Sequence, residues 1–130
     1  MTTLKVLKFN IPSLTESEVT LTENDALDSF EYPHDYNVDG QIQGGKVYND
    51  KLYWVFGANR GYHPGEWKRA LYVFDLKNKV RESFVDLSDV LEHELEDFEI
   101  YGNIGLISIN QIANTEESYN GNGLYFIKFD

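Results

Sequence analysis

The chain has 130 residues, no cysteine, and 22 acidic against 11 basic side chains, for a formal net charge of −11 at pH 7. That length is one domain's worth, and 42% apolar with 15% aromatic residues excludes a disordered chain. The charge disfavours nucleic acid and anionic membrane, whose phosphates call for clustered Lys and Arg, and without Cys there is no disulfide, thiol nucleophile or Cys-ligated zinc.

The opening residues, MTTLKVLKFNIPSL, alternate apolar side chains with Lys5, Lys8 and Asn10. That is strand patterning, not the continuous apolar core and small-residue cleavage site of a signal peptide. No run approaches the ~18 apolar residues of a membrane-spanning helix. The compartment stays open, a longer parent being compatible with a periplasmic or extracellular location. TESEVTLTENDALDSFEY, from Thr15 to Tyr32, is acidic and polar and reads as a solvated excursion between structural units. Within it Val19–Thr22 resembles Val85–Ser88, which marks it as a strand.

From residue 40 onward four strands are expected, at roughly 42–48, 52–57, 70–76 and 80–87. KLYWVFG and ALYVFDL are apolar on both faces and rich in aromatic and β-branched residues, as in strands covered on both sides. YNDK and LKNK carry the turn chemistry between them, since Asn and Asp tolerate left-handed backbone. In LSDVLEHELEDF (87–98), Leu87, Val90, Leu91 and Leu95 stand at helical spacing, enough for one short helical turn.

The chain also repeats. KVYNDKLYWVFGAN begins at Lys46 and EIYGNIGLISINQI at Glu99, an offset of 99 − 46 = 53; ALYVFDL at Ala70 and GLYFIKF at Gly123 give 123 − 70 = 53. An offset kept across a polar loop points to two copies of one unit. LKVLKF at Leu4 resembles LYVFDL at Leu71, a partial third copy. Four antiparallel strands repeated every ~40–50 residues mark a β-propeller blade. A β-sandwich, the alternative all-β fold, also uses many short strands but does not call for the repeat.

These segments resemble the blades of six-bladed β-propeller proteins of the Bacteroidetes type. Glu94-Leu95-Glu96-Asp97 stands where those blades open on an acidic element, with Leu95 in place of the usual proline, and Asp75-Leu76 and Asp86-Leu87 match their two Asp-Leu steps. The resemblance implies a C-terminal part of about two blades: a partial blade at 1–39, a complete one at 40–88 and an incomplete last one at 89–130. Blades so few cannot close a ring, which implies self-association or neighbouring blades. The expected open faces carry Trp54, Phe56, Tyr72 and Phe74. Related propellers include calcium-dependent lactonases and arylesterases, while many others only bind.

Two groups of residues are candidates for function. GANRGYHPGEWKR (57–69) joins the second and third strands of the complete blade and is long for a hairpin link. Trp67 and Tyr62 suit stacking on a sugar, Arg60 suits a carboxylate, and His63 lies between them; the same aromatic residues equally suit packing on a neighbouring blade. The loop lacks the glycine–lysine spacing of a phosphate-binding loop. In the second group, Gln43 falls on Glu96 and Gly44 on Asp97 under the offset. Glu94, Glu96 and Asp97 offer oxygens to calcium, although a full site takes ~6–8 of them, and a solvated acidic turn fits as well. His34, His63 and His93 have no metal-ligand spacing. The expected function is a non-catalytic binding or scaffold module for a glycan or protein, with no cofactor or with calcium. The alternative is a calcium-dependent lactonase-like or esterase-like hydrolase using the three carboxylates with His63 or His93 as base.

Overall fold

The computed structural model describes residues 2–34, 41–57, 68–91, 94–110 and 123–129. The fold is all-β: strand accounts for 64% of the described residues, none of which is α-helical. The chain divides into two compact units, Met1–His34 and Asp35–Asp130.

The first unit is an antiparallel pair, β1 (Thr2–Lys8) and β2 (Asp28–His34), with Lys8 opposite Asp28 and Lys5 opposite Glu31. Opposite charges face one another across the pair, which favours this register. Pro33 is accommodated because β2 is an edge strand and needs no donor on its open side. The strand expected at Val19–Thr22 is absent, and β2 supplies the partner of β1 instead. Thr22 donates from both its backbone N and Oγ1 to Asp25 Oδ2, at 2.8 and 2.7 Å, and so caps a 3-10 turn at Glu23–Asp25. That local bonding competes with extended pairing. The acidic run is thus an exposed excursion only up to Leu27; Phe30 and Tyr32 alternate with polar residues in β2.

The second unit holds two antiparallel sheets. One has the order β3 (Gln41–Tyr48), β4 (Lys51–Gly57), β5 (Ala70–Asp75), β6 (Val80–Asp86). The other has the order β7 (Glu94–Tyr101), β8 (Ile104–Asn110), β9 (Gly123–Lys128). The four strands expected in the first sheet lie within one residue of those observed. Asn49 and Asp50, at φ 50° and 59°, make the two-residue turn between β3 and β4, a backbone that Asn and Asp adopt more readily than most residues. Gly102, at φ 62°, begins the matching two-residue turn between β7 and β8. Asp75 organises the next turn, its carboxylate accepting from the backbone N of Lys77 and Asn78 and from Asn78 Nδ2 at 2.7–2.9 Å. The helical spacing of residues 87–98 yields one turn, in which Leu91 N donates to Leu87 O at 2.8 Å. From Glu94 the chain is extended, and Leu95 is a buried residue of β7.

The two sheets pack face to face. Val55 and Leu71 of the first meet Leu95, Phe98, Ile107 and Ile109 of the second, with Leu87 and Leu91 closing the end of this core. Tyr53 stacks on Phe98 at 5.6 Å between ring centres, and Phe129 meets both rings edge-on. The other face of the first sheet is aromatic: Phe56 and Tyr72 touch at 4.5 Å, Trp54 and Phe84 flank them, and the Arg81 guanidinium lies 5.5 Å above the Tyr72 ring. Phe56, Tyr72 and Phe74 are buried, so they are not the open surface the sequence suggests. Exposed apolar side chains of this unit include Val47, Val80, Val90 and Tyr101 and, on β9, the neighbouring Leu124 and Phe126. Among the described residues, no helix is long and apolar enough to cross a membrane.

Candidate functional site

Three features of the second unit converge at one end of its sheets. The loop between β4 and β5 has its base there, because Phe56 pairs with Ala70. Arg69, just before β5, is fastened to the connection between the sheets: its backbone N donates to Ser88 Oγ at 3.0 Å, its guanidinium to Ser88 O at 2.9 Å, and its own carbonyl accepts from Leu87 N at 2.7 Å. The starts of β3 and β7, which carry Gln43 and Glu94, complete the group. Arg60, Tyr62, His63 and Trp67 lie outside the described residues, as does His93. What is described is the base from which their loop departs.

The junction between β3 and β7 is built from bulges. Register shifts between Ile42 and Gly45 in β3, and between Leu95 and Asp97 in β7. A bulge re-aims the side chains beside it. Gln43 Nε2 thereby donates to Glu94 Oε1 at 2.8 Å, while Trp54 Nε1 holds the Gln43 carbonyl at 2.9 Å. Gly44 sits so close to Asp97 that a Cβ there would overlap its carboxylate. Farther along, Lys46 and Glu99 form an ion pair at 2.8 Å. Lys46 and Glu99 are 99 − 46 = 53 positions apart, and Gly44 and Asp97 are 97 − 44 = 53 apart. The repeat offset with opposite charges was the sequence signal that could have located this ion pair. Gln43 does not meet Glu96, its counterpart under the offset, but Glu94, two residues earlier.

Glu94 is the one of the three acidic candidates that is buried. Burial raises its carboxyl above the usual carboxylate range, the charge of Glu96 raises it further, and the Gln43 hydrogen bond opposes them. Asp97 is committed locally, Oδ1 accepting from Phe98 N at 2.8 Å. Among the described residues, no group of three or more His, Asp or Glu stands together as a metal cage. Glu94, Glu96 and Asp97 are neighbours on one strand, and Glu94 is engaged by Gln43.

Because folding raises the Glu94 pKa, the native state binds this proton more tightly than the unfolded chain does. The group's contribution to stability is therefore lost as pH rises from the ordinary Glu range through the folded pKa. Glu94→Gln keeps an oxygen for Gln43 and removes the charge. It should raise Tm at pH 7 by about 1–3 °C and leave Tm at pH 4 unchanged. Thermal melts at the two pH values check this, and an equal shift at both rejects it.

Comparison of the chain with protein-family models, with curated proteins and with solved structures finds no match.

Proposed function

We propose that the chain is a non-catalytic binding or scaffold module built of β-propeller blades, with a glycan or a protein as ligand. The observation that carries the reading is the recurrence of strand spans: β7, β8 and β9 begin 94 − 41, 104 − 51 and 123 − 70 residues after β3, β4 and β5, each time 53. Turn lengths and the placing of bulges recur with them. The face-to-face packing of two like sheets with their first strands, β3 and β7, adjacent supports this reading, because successive blades of a propeller pack in that way. Ligand contact is assigned to the loop between β4 and β5 through Arg60, Tyr62, His63 and Trp67, with Gln43 at its foot. A rigid sheet supports the base of that loop, and Trp and Arg are residue types that concentrate binding energy when enclosed.

The calcium-dependent hydrolase is the weaker reading, since Gln43 occupies Glu94 and Asp97 is bonded to its own strand. Micromolar calcium binding by calorimetry, abolished by Glu96→Gln, would revive it.

The test of the binding reading is a glycan panel with the full chain and two variants. Trp67→Ala and Arg60→Ala should each weaken the best glycan by at least ~10-fold, about 1.4 kcal/mol, while moving Tm by no more than about 3 °C. A large fall in Tm with binding unchanged would make the loop a packing element only.

A further inference from the structure

The two sheets of the second unit differ in how one face is covered. Tyr53, Val55, Leu71 and Val73 share the face of the first sheet that the second sheet covers; Val55, Leu71 and Val73 are 0%, 1% and 7% exposed. Fifty-three residues on (106 − 53, 108 − 55, 124 − 71, 126 − 73) stand Leu106, Ser108, Leu124 and Phe126. They share the outward face of the second sheet, where Leu124 is 55% and Phe126 69% exposed. A face that is sealed by a sheet in one position is open in the other.

Cross-strand register gives that open face three rows. Asp97, Ser108 and Leu124 form the first, Glu99, Leu106 and Phe126 the second, and Tyr101, Ile104 and Lys128 the third. A depression of about 130 Å³ lined by Asp97, Glu99, Leu106, Ser108 and Leu124, with Phe98 beneath, runs between the first two. Its floor and far wall are apolar and its near rim is acidic. Asp97 and Lys128 occupy diagonally opposite corners, and Leu106 is at the centre. The face is thus complementary to itself: a two-fold axis through Leu106, with the sheets crossed near 90°, sets each Lys128 on the other copy's Asp97 and Leu106 on its counterpart.

We propose that the β7–β8–β9 outer face docks a second copy of this chain, sheet against sheet. What supports a sheet as the occupant is the covering of the equivalent face within the chain, and what supports a second copy is the diagonal placing of charge. The inference rests on the same 53-residue equivalence as the blade reading, but not on any ligand. Three short strands offer less than the roughly 800 Å² per partner of a standard interface, so the dimer is weak. It should go from mostly monomer near 1 µM to mostly dimer near 1 mM, which corresponds to a dissociation constant on the order of tens of µM.

Sedimentation of the full chain across that range, at 0.15 M salt to screen distant charges, is the first measurement. The expected result is concentration-dependent dimer that Phe126→Asp weakens at least ~10-fold and that Val80→Asp, on exposed β6, leaves unchanged. Since the chain has no cysteine, Leu106→Cys should form a disulfide-linked dimer under mild oxidation much faster than Val80→Cys. A monomer throughout, higher oligomers indifferent to Phe126→Asp, or equal cross-linking at both positions overturns the proposal. If glycan binding persists in those cases, only this docking surface falls and the binding reading stands.

Discussion

Phe98→Ala should cost about 3–5 kcal/mol of unfolding free energy, the usual loss on truncating a buried Phe, and Gly105→Ala should cost about 1–3 kcal/mol by overfilling the same spot. The double variant should cost less than their sum by roughly 1–2 kcal/mol. The reason is their contact. Phe98 is buried against Tyr53 and Phe129, and a Cβ on Gly105 would come within 2.7 Å of the Phe98 ring and 3.1 Å of Phe129. Gly105 pairs across the sheet with Ile100 and Ile127, so its lack of a side chain leaves the hollow that the ring fills. Removing the ring leaves a cavity that the new methyl partly occupies. A loss of 3–5 kcal/mol is a large share of the 5–15 kcal/mol that holds a typical domain, so urea unfolding resolves it easily. Strictly additive costs would mean that residue 105 and the ring do not share space.

Much of this architecture is legible along the chain. β3 to β6 are visible because KLYWVFG and ALYVFDL are apolar on both faces, and because Asn49-Asp50 and Asp75–Lys79 carry turn chemistry that leaves little choice of boundary. Once those are placed, the offset of 53 sets β7 to β9. β2 is harder to see, because Pro33 and the flanking acids look like loop and nothing local says that an edge strand tolerates both. Val19–Thr22 misleads in the opposite sense. Its residues alternate as a strand would, but Asp25 captures Thr22 in a turn.

The candidate site is less legible for a physical reason. Gln43 lies within the β3 bulge, and which acid its side chain meets depends on how that bulge turns it and on the burial of Glu94, not on the offset, which Gly44 and Asp97 beside it still keep. A bulge leaves little mark in composition. Whether an apolar face is open or sealed also depends on what packs there, which is why Phe56, Tyr72 and Phe74 turn out buried and Leu124 and Phe126 exposed.

The closest test of how the sheets dock is a set of glycines that differ in what they touch. A Cβ on Gly57 would lie 2.6 Å from the backbone N of Leu95 and 3.2 Å from its Cβ. Leu95 is fully buried in the core and its backbone is paired with Ile109, so neither can swing aside. Gly57→Val must therefore push the end of β4 away from β7, opening the core around Val55 and Leu95. The expected cost is about 3 kcal/mol or slightly more, at the upper end for overpacking. Gly44→Ala overlaps the Asp97 carboxylate, which can turn away only by giving up its bond from Phe98 N, and comes within 2.9 Å of the Asp97 Cα, so it should cost about 2 kcal/mol. Gly102→Ala meets nothing within 4 Å and is penalised only by its positive φ, about 1 kcal/mol. The order Gly57→Val, then Gly44→Ala, then Gly102→Ala follows from the direct contact of β4 with β7 and from no local propensity, since Val is a better strand former than Gly. Urea midpoints of the three variants measure it. If Gly57→Val proves as mild as Gly102→Ala, the two sheets do not meet at Leu95, and the relation between them on which the blade reading stands is wrong.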